Sequence, residues 1–470
     1  MTALVDALID TAQRRPQLRL GCVDDQITLP DALAFAAARA SELLDGGLQP
    51  GQRIAAVAPS STDYLVTWLA ALLAGAPIAL VNPTYPPDLL DRMLRPLDPT
   101  LVLDESGISR ARSAGLAAIS GLPGRHGAAS DVISFMHTSG TTGLPKFCAQ
   151  TNGYFRRLAA SMGAALDLGP GDRVLAPLPL FHINPMGYGI IGALVAGADA
   201  LTVPRFSAGA FWPAVLEHDV TVLVLHAPPV EILKRATNAG DADGHRLRTM
   251  FYADREFLHR FGVPRAVSGY GSTEAAGVTH LKRWTAGDDI PDDASRHGGP
   301  ARDDVDWRLD PAGGIHVREL ESDTLFAGYV TAGGVDPARD DDGWFDTGDL
   351  GRTAADGGLV FVERAAESIR VKGEFVPIPF VESRLSVVPG IDDLAIWKRP
   401  GQLVDDDVVL YTVADPVPTG ALAAAISQLP PFMRPVAVAQ VARIPRDAAA
   451  GKVQRRLLPD LEVAAWLPLT

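Results

Sequence analysis

The segment MHTSGTTGLPKF, residues 136–147, concentrates groups that could bind phosphate in a chain otherwise rich in alanine and leucine. Its hydroxyl side chains and glycine N–H groups can converge on one anion, and Lys146 adds a mobile positive charge. The GxxxxGK[ST] pattern is not met, because Gly140 and Gly143 lie too close together and the lysine follows a proline. On its own residues, the segment is either a phosphate loop of another kind or a flexible surface connector.

Apolar segments indicate which elements would position this loop. Residues 132–136 predict a strand that runs directly into it. The uncharged run 64–81 approaches the length of a membrane span, but Gly75 and Pro77 interrupt it, which favours a buried helix followed by a strand. Residues 189–203 repeat this helix–glycine–strand pattern, so we expect two α/β sheets of similar construction.

From about Ala301, short apolar segments alternate with Gly/Asp turns, a pattern typical of β-hairpins. The last hundred or so residues return to a mixed α/β pattern, with FVESRLSVV and TGALAAAISQL as helical segments. The predicted fold class is therefore α/β. We expect a large N-terminal domain over 1–363, with two similar mixed sheets and a β-rich subdomain, and a small mobile C-terminal α/β lid over 364–470.

Composition excludes several classes of protein. The formal charge of −14 and the pI near 5.2 give no electrostatic footprint for nucleic acid. Two cysteines, Cys22 and Cys148, cannot build a disulfide framework, which fits a reducing compartment. The N-terminus lacks a basic region followed by a long apolar core, so no secretion signal is expected. These features predict a cytoplasmic protein with neither a nucleic-acid nor a membrane partner.

Five motifs occur in an order that resembles the adenylate-forming superfamily, which includes acyl-CoA synthetases, peptide-synthetase adenylation domains and luciferases. The motifs are HTSGTTGLPK, LAPLPLFHINPMGYG, SGYGSTEAAG, WFDTGDLG and IPRDAAAGKVQRRLL. The segment LQPGQRIAAVAPSSTDYLVTWLAALLAGAPIALVNPTYP also looks like the N-terminal part of that superfamily. The chain is most similar to acyl- or aryl-acid CoA ligases, and the resemblance extends through nearly its whole length.

The resemblance implies an ATP site built from the first and third motifs. The residues that would hold the β- and γ-phosphates are Thr138, Ser139, Gly140, Thr141, Thr142 and Gly143, with Lys146 nearby. In the third motif, Tyr270 would stack on adenine, Gly271 would belong to the nucleotide site and Thr273 would contact phosphate. Glu274 would hold Mg²⁺, a hard cation that prefers oxygen ligands and substrate phosphates.

Three further residues would complete this nucleotide site. Asp349 would accept hydrogen bonds from the ribose hydroxyls, although a turn aspartate in a β-hairpin is the alternative. Arg364 occupies the ribose- or phosphate-contacting position at the domain junction. Lys452 would bridge the acid oxygen and the α-phosphate in the transition state, since a lysine ammonium is a compact charge on a flexible stem.

The second motif would line the acid pocket. His182 lies there among apolar residues, as a pocket wall or a contact to the carboxylate, or else as a core histidine. The segment lacks the aspartate that amino-acid-activating members pair with the substrate ammonium. An uncharged acyl or aryl acid is therefore favoured over an α-amino acid.

Transfer to a thiol would use another orientation of the lid, with Gly373 leaving room for a pantetheine arm. The sequence departs from the family in this region: Glu363 replaces a glycine, Ala366 stands at the hinge and Arg370 replaces a lysine. The loop before Tyr270 is also short and lacks paired glycines. An alanine hinge predicts a slower or biased domain swing.

The predicted enzyme is an ATP- and Mg²⁺-dependent acid–thiol ligase, with CoA or the phosphopantetheine of an acyl carrier protein as acceptor. Thr138, His182, Glu274 and Lys452 are its expected catalytic residues. An enzyme that stops at the acyl-adenylate, or passes it to another nucleophile such as an amine, is the first alternative. A non-catalytic binding homologue is the second, although this chain keeps the expected charged site residues.

Overall fold

The computed structural model describes residues 3–138, 145–364, 369–372, 374–401, 406–446 and 453–468. The chain divides into two compact units. The first unit comprises residues 1–83, 94–137 and 147–365, and the second comprises residues 84–93, 138–146 and 366–470. The boundary proposed after residue 363 and the mobility of the lid stay predictions.

An eight-stranded mixed sheet organises one half of the first unit. Its strands are β1 (Arg19–Cys22), β2 (Asp25–Thr28), β8 (Arg173–Leu175), β9 (Asp199–Thr202), β10 (Val222–Val224), β11 (Thr249–Phe251), β12 (Arg265–Tyr270) and β13 (His280–Thr285). Their order is β13-β12-β11-β10-β8-β9-β1-β2, and the outer pairs β12/β13 and β1/β2 are antiparallel. The inner strands are parallel, so the carboxyl ends of β10, β11 and β12 meet at one edge.

A seven-stranded sheet of similar construction contains β3 (Ile54–Val57), β4 (Ile78–Val81), β5 (Leu101–Asp104), β6 (Val132–Thr138), β7 (Lys146–Thr151), β17 (Gly328–Thr331) and β18 (Gly334–Asp336). Its order is β18-β17-β7-β6-β4-β3-β5. All four residues of β4 are buried, as expected for a parallel strand covered on both faces. Residues 64–81 thus do form the predicted helix and strand.

Ten α-helices lie before residue 297 in the described part of the chain. They are α1 (Leu4–Arg14), α2 (Leu29–Asp45), α3 (Thr62–Leu73), α4 (Pro87–Leu97), α5 (Glu105–Ile108), α6 (Asn152–Ala165), α7 (Gly192–Ala196), α8 (Ala208–Glu217), α9 (Ala227–Ala236) and α10 (Arg255–Phe261). A π-helical segment with i→i+5 hydrogen bonding, Asn184–Ile191, precedes α7. Hydroxyl side chains cap α3 and α6, where Ser61 and Thr151 accept hydrogen bonds from N–H groups of the first turn.

The predicted β-rich subdomain is a five-stranded antiparallel sheet. Its strands are β14 (His297–Gly299), β15 (Val305–Leu309), β16 (Gly314–Glu319), β19 (Phe345–Thr353) and β20 (Leu359–Arg364), in the order β14-β20-β19-β16-β15. One hairpin, residues 328–336, does not join this five-stranded sheet. Strands β17 and β18 extend the seven-stranded sheet instead, because β17 pairs with β7.

From residue 369 on, the described part of the second unit carries a separate two-stranded sheet formed by its first two strands, a four-stranded sheet formed by the other four, and two α-helices. Its elements are β21 (Arg370–Val371), β22 (Glu374–Phe375), α11 (Ile378–Leu385), β23 (Asp393–Pro400), β24 (Asp406–Val413), α12 (Thr419–Ser427), β25 (Ala437–Val441) and β26 (Val463–Pro468). Both predicted C-terminal helices are present, as α11 and α12. Across the described part of the chain, every helix is too short or too polar to span a bilayer.

Candidate active site

The turn after β12 is built around Gly271. A Cβ atom at this position would collide with the carbonyl oxygen of Gly277, so a larger residue cannot be accommodated without moving the backbone. The N–H of Gly277 donates to the carbonyl of Ser272 at 3.0 Å, which closes the turn. The residues of the GYGSTE motif are therefore held at the carboxyl edge of the eight-stranded sheet.

Tyr270 and Asp349 meet although they come from different sheets. The Tyr270 hydroxyl donates to Oδ2 of Asp349 at 2.9 Å, and the two residues are only 7% and 5% exposed. The ring of Tyr270 stacks on Phe361 with 6.0 Å between centroids. Asp349 lies directly across from Arg364 in the β19/β20 pair. A buried carboxylate needs a donor such as the Tyr270 hydroxyl, and this hydrogen bond holds Asp349 beside the aromatic residue predicted to stack on adenine.

Tyr270→Phe is expected to raise the KM for ATP about tenfold, with a smaller change in kcat. The variant removes a hydrogen bond to a charged group, worth about 1.5 kcal/mol, and leaves the Asp349 carboxylate less firmly oriented. Steady-state pyrophosphate release at varied ATP measures the effect. Tyr64→Phe is a matched control, because the buried Tyr64 hydroxyl has no hydrogen-bond partner in the described structure. An unchanged KM for ATP would separate the Tyr270 hydroxyl from nucleotide binding.

His280 packs against this pair without contributing charge. It lies opposite Tyr270 in the β12/β13 ladder, and its ring meets those of Tyr270 and Trp307 edge-on at 6.0 and 4.9 Å. Burial lowers the pKa of His280 to about 3. The imidazole is therefore neutral at physiological pH and supports the orientation of the Tyr270 ring.

Glu274 is the buried carboxylate of the turn. Its side chain is 7% exposed, Oε1 accepts a hydrogen bond from the Tyr329 hydroxyl at 3.0 Å, and its carbonyl accepts from the N–H of Phe326 at 3.1 Å. The described residues contain no group of three or more His, Cys, Asp or Glu side chains suited to a metal. A single buried carboxylate nonetheless fits Mg²⁺, which is held by one or two carboxylates together with substrate phosphates.

Thr273 is fixed through its backbone. Its carbonyl accepts a hydrogen bond from the Tyr154 hydroxyl of α6 at 3.0 Å. Burial raises the pKa of Tyr154 well above its usual range, so this phenol stays a donor. The contact ties the helix that follows the predicted phosphate loop to the turn that carries Thr273.

The predicted phosphate loop is described only at its ends. Thr138 is the buried last residue of β6, and Lys146 is the half-buried first residue of β7. Ser139, Gly140, Thr141, Thr142 and Gly143 lie outside the described residues. A strand therefore does lead into the loop, as expected, and the phosphate contacts of its residues stay predictions.

His182 belongs to a small aromatic cluster. Its ring centroid lies 4.7 Å from that of Phe181 and 6.0 Å from that of His137, which in turn stacks on Phe181 at 5.8 Å. His137 was not predicted as a site residue, although it directly precedes Thr138 in the motif. The structure thus places two imidazoles, rather than one, at the end of β6.

Other predicted site residues are described partly or not at all. Lys452, Gly373 and Ala366 lie outside the described residues. Arg364 ends β20, and only its backbone is described. The short loop before Tyr270, which lacks the paired glycines of the family, contains Tyr252 at φ 95°. A bulky residue with positive φ is strained, and such strain concentrates at functional sites.

A surface groove of about 730 Å³ in the first unit is lined by none of the predicted site residues. Two of its cations are paired with acids: Arg302 lies 2.6 Å from Asp304, and Lys282 lies 2.6 Å from Asp356. The groove is therefore not the site that the motifs indicate.

The described residues form an α/β fold with buried aromatic and acidic side chains at a sheet edge. Residues 10–322 match the family described as AMP-binding enzyme. The chain belongs to this family, which confirms the resemblance read from the motifs.

A relative of similar sequence agrees with this assignment, and solved structures agree with the fold class. The sulfoacetate–CoA ligase of Cupriavidus necator is 29% identical over 446 residues, covering 87% of each chain. The o-succinylbenzoate CoA synthetase of Bacillus subtilis, bound to a product analogue, matches with a TM-score of 0.85 at 21% identity over 98% of this chain and 99% of that one. A structure of the same synthetase with ATP and magnesium matches at a TM-score of 0.68 and 21% identity, over 97% and 99% of the two chains. The predicted fold class is confirmed.

Proposed function

We propose that this enzyme activates a carboxylic acid with ATP and transfers the acyl group to CoA. The prediction of an AMP-forming acid–thiol ligase is confirmed by family membership and by a relative that is an acid–CoA ligase. ATP, Mg²⁺ and CoA are accordingly its cofactors, and a small carboxylic acid is its substrate. An acyl carrier protein as the alternative acceptor, and a cytoplasmic location, stay predictions.

The proposed reaction has two steps. The acid oxygen forms a bond to the α-phosphorus of ATP while the bond to the β-phosphate oxygen breaks, which gives the acyl-adenylate and pyrophosphate. The thiol sulfur of CoA then bonds to the acyl carbon and loses its proton, and AMP leaves. Both steps bring anions or electron-rich atoms together, so alignment and charge neutralisation are the main tasks of the protein.

The observation that carries the proposal is the hydrogen bond between the hydroxyl of buried Tyr270 and the carboxylate of buried Asp349. This contact supports a shared nucleotide site for two motifs about 80 residues apart, because the residues predicted to bind adenine and ribose are hydrogen-bonded to each other. Asp349 would orient the ribose, and Glu274 would hold Mg²⁺. When bound, Mg²⁺ supplies positive charge that offsets the triphosphate. Lys146 and Lys452 would add mobile positive charge.

The acid is proposed to be an uncharged acyl or aryl acid. The described ring neighbours of His182 are Phe181 and His137, and residues 180–186 contain no acidic side chain that could pair with a substrate ammonium. An α-amino acid would lack a counter-charge there. His182 would then form the pocket wall or contact the substrate carboxylate.

The test is a pyrophosphate-release screen over fatty, aryl, amino and dianionic acids, followed by mass detection of products with CoA. We expect release with at least one uncharged acid and a CoA thioester of the same acid. Release that yields only acyl-adenylate in the presence of CoA would favour the alternative of an arrested adenylating enzyme. No acid-dependent release with any member of the panel would overturn the proposal.

A further inference from the structure

Tyr329 in β17 contacts the candidate metal ligand directly. Its hydroxyl donates to Oε1 of Glu274 at 3.0 Å, across 55 residues of sequence. Glu274 is 7% exposed, so few water molecules can compete for its oxygens. The Tyr329 hydroxyl is therefore a protein donor that can fix the orientation of this carboxylate.

The backbone around Tyr329 is tied to two parts of the proposed ATP site. On one side, β17 pairs with β7, the strand that leaves the phosphate loop, with Tyr329 opposite Cys148 and Gly328 opposite Ala149. On the other side, the N–H of Phe326 donates to the Glu274 carbonyl at 3.1 Å. The segment 326–329 thus bridges the exit of the phosphate loop and the turn that carries Glu274.

Close packing restricts the Tyr329 side chain. Its ring meets that of the fully buried Phe326 edge-on at 4.9 Å. Arg339 donates to the carbonyl of Phe326 at 2.7 Å, which fixes the segment from a further side. Gly328 has φ 151°, and a Cβ atom there would collide with the carbonyl oxygen of Asp336. The hydroxyl is consequently presented to Glu274 by a backbone with little freedom.

We propose that Tyr329 is a positioning residue that orients the Glu274 carboxylate for Mg²⁺·ATP. The inference rests on the proposed function and adds a residue to it. A neutral phenol suits this task better than a lysine or arginine, because it engages one oxygen without cancelling the negative charge that attracts the metal ion. Tyr329 itself touches neither substrate nor metal in this account.

Tyr329→Phe keeps the ring and removes only the donor. We expect the Mg²⁺ concentration for half-maximal pyrophosphate release to rise about tenfold, as for other residues that orient metal ligands, with kcat at saturating Mg²⁺ within about threefold of wild type. A second readout needs no turnover. The Mg²⁺-dependent rise in Tm with a non-hydrolysable ATP analogue should shift to higher Mg²⁺ by a similar factor. Tyr64→Phe, which removes a buried hydroxyl elsewhere, should shift neither curve.

A double-mutant cycle separates positioning from simple stabilisation. In a Glu274→Gln background, Tyr329→Phe should cause little further shift in Mg²⁺ dependence, because an amide has replaced the carboxylate that Tyr329 would orient. A lower Tm with an unchanged Mg²⁺ dependence would make Tyr329 merely structural and overturn the inference. If Glu274→Gln alters Mg²⁺ dependence in the same experiment, the proposed function is still supported, even when Tyr329→Phe has no effect on that dependence. Wild-type enzyme that shows no Mg²⁺-ATP turnover would instead refute the function.

Discussion

Lys452→Ala is expected to reduce acid-dependent pyrophosphate release by about 10²- to 10³-fold, with little change in Tm. The reacting acid oxygen and α-phosphate are both anionic, and removing one preorganised positive group from such a transition state costs factors of this size. The KM for ATP should change less than kcat, because the charge is needed most when the two anions approach. Initial rates of pyrophosphate release at saturating ATP and acid measure the effect.

The control for Lys452 is another lysine of the second unit. Lys398 has a side chain that is 37% exposed and lies 3.8 Å from Asp406, so Lys398→Ala should leave pyrophosphate release near wild type. A second assay supplies preformed acyl-adenylate and CoA. Thioester formation from it should survive in Lys452→Ala if the lysine serves only adenylation. Near-normal pyrophosphate release in Lys452→Ala would remove the residue from the mechanism.

Much of the architecture follows from local sequence signals. Gly75 and Pro77 end an apolar helix and start a strand, and the structure has α3 and β4 at these places. Both glycine-punctuated units belong to mixed sheets, and the Gly/Asp-rich stretch forms an antiparallel sheet. Such signals are short-ranged, because helix ends and tight turns depend on the backbone preferences of a few neighbouring residues.

Long-range strand pairing does not follow from such local signals. The β17–β18 hairpin lies in the same Gly/Asp-rich stretch as its neighbours, yet it joins the seven-stranded sheet through β7 rather than the β-rich sheet. Strand propensity does not specify the partner of a strand, which depends on the packing of the whole domain. The contact between Tyr329 and Glu274 was missed for this reason.

In the candidate site, too, local motifs can be recognised from the sequence, whereas the contacts between them depend on the fold. The motif containing Tyr270 and the one containing Asp349 could each be recognised from sequence, but their hydrogen bond depends on how two sheets pack. His137 was overlooked because a lone histidine carries little signal before its neighbours, Phe181 and His182, are known in space. Motifs therefore identified the reaction class, whereas the structure supplied the residues that orient the motif side chains.

Glu274→Gln is expected to abolish efficient use of Mg²⁺-ATP while leaving the fold intact. The amide keeps the size of the side chain and an oxygen that can accept the Tyr329 hydrogen bond, but it removes the hard anionic ligand that Mg²⁺ prefers. Pyrophosphate release at about 1 mM Mg²⁺ should fall by about 10²-fold, in the range for loss of one electrostatic contact at a reaction centre. Raising Mg²⁺ should recover part of the rate.

We expect Glu274→Gln to lower activity without lowering thermal stability. A 7% exposed carboxylate is unfavourable without its metal, so Glu274→Gln should keep or raise the Tm of the enzyme in the absence of Mg²⁺. Glu321→Gln is the matched control, because that carboxylate is 61% exposed and pairs with Arg157. It should change neither Tm nor Mg²⁺ dependence appreciably, since exposed ion pairs contribute about 1 kcal/mol or less. Wild-type Mg²⁺ dependence in Glu274→Gln would show that the metal is held by other residues, and it would also remove the partner that Tyr329 is proposed to orient.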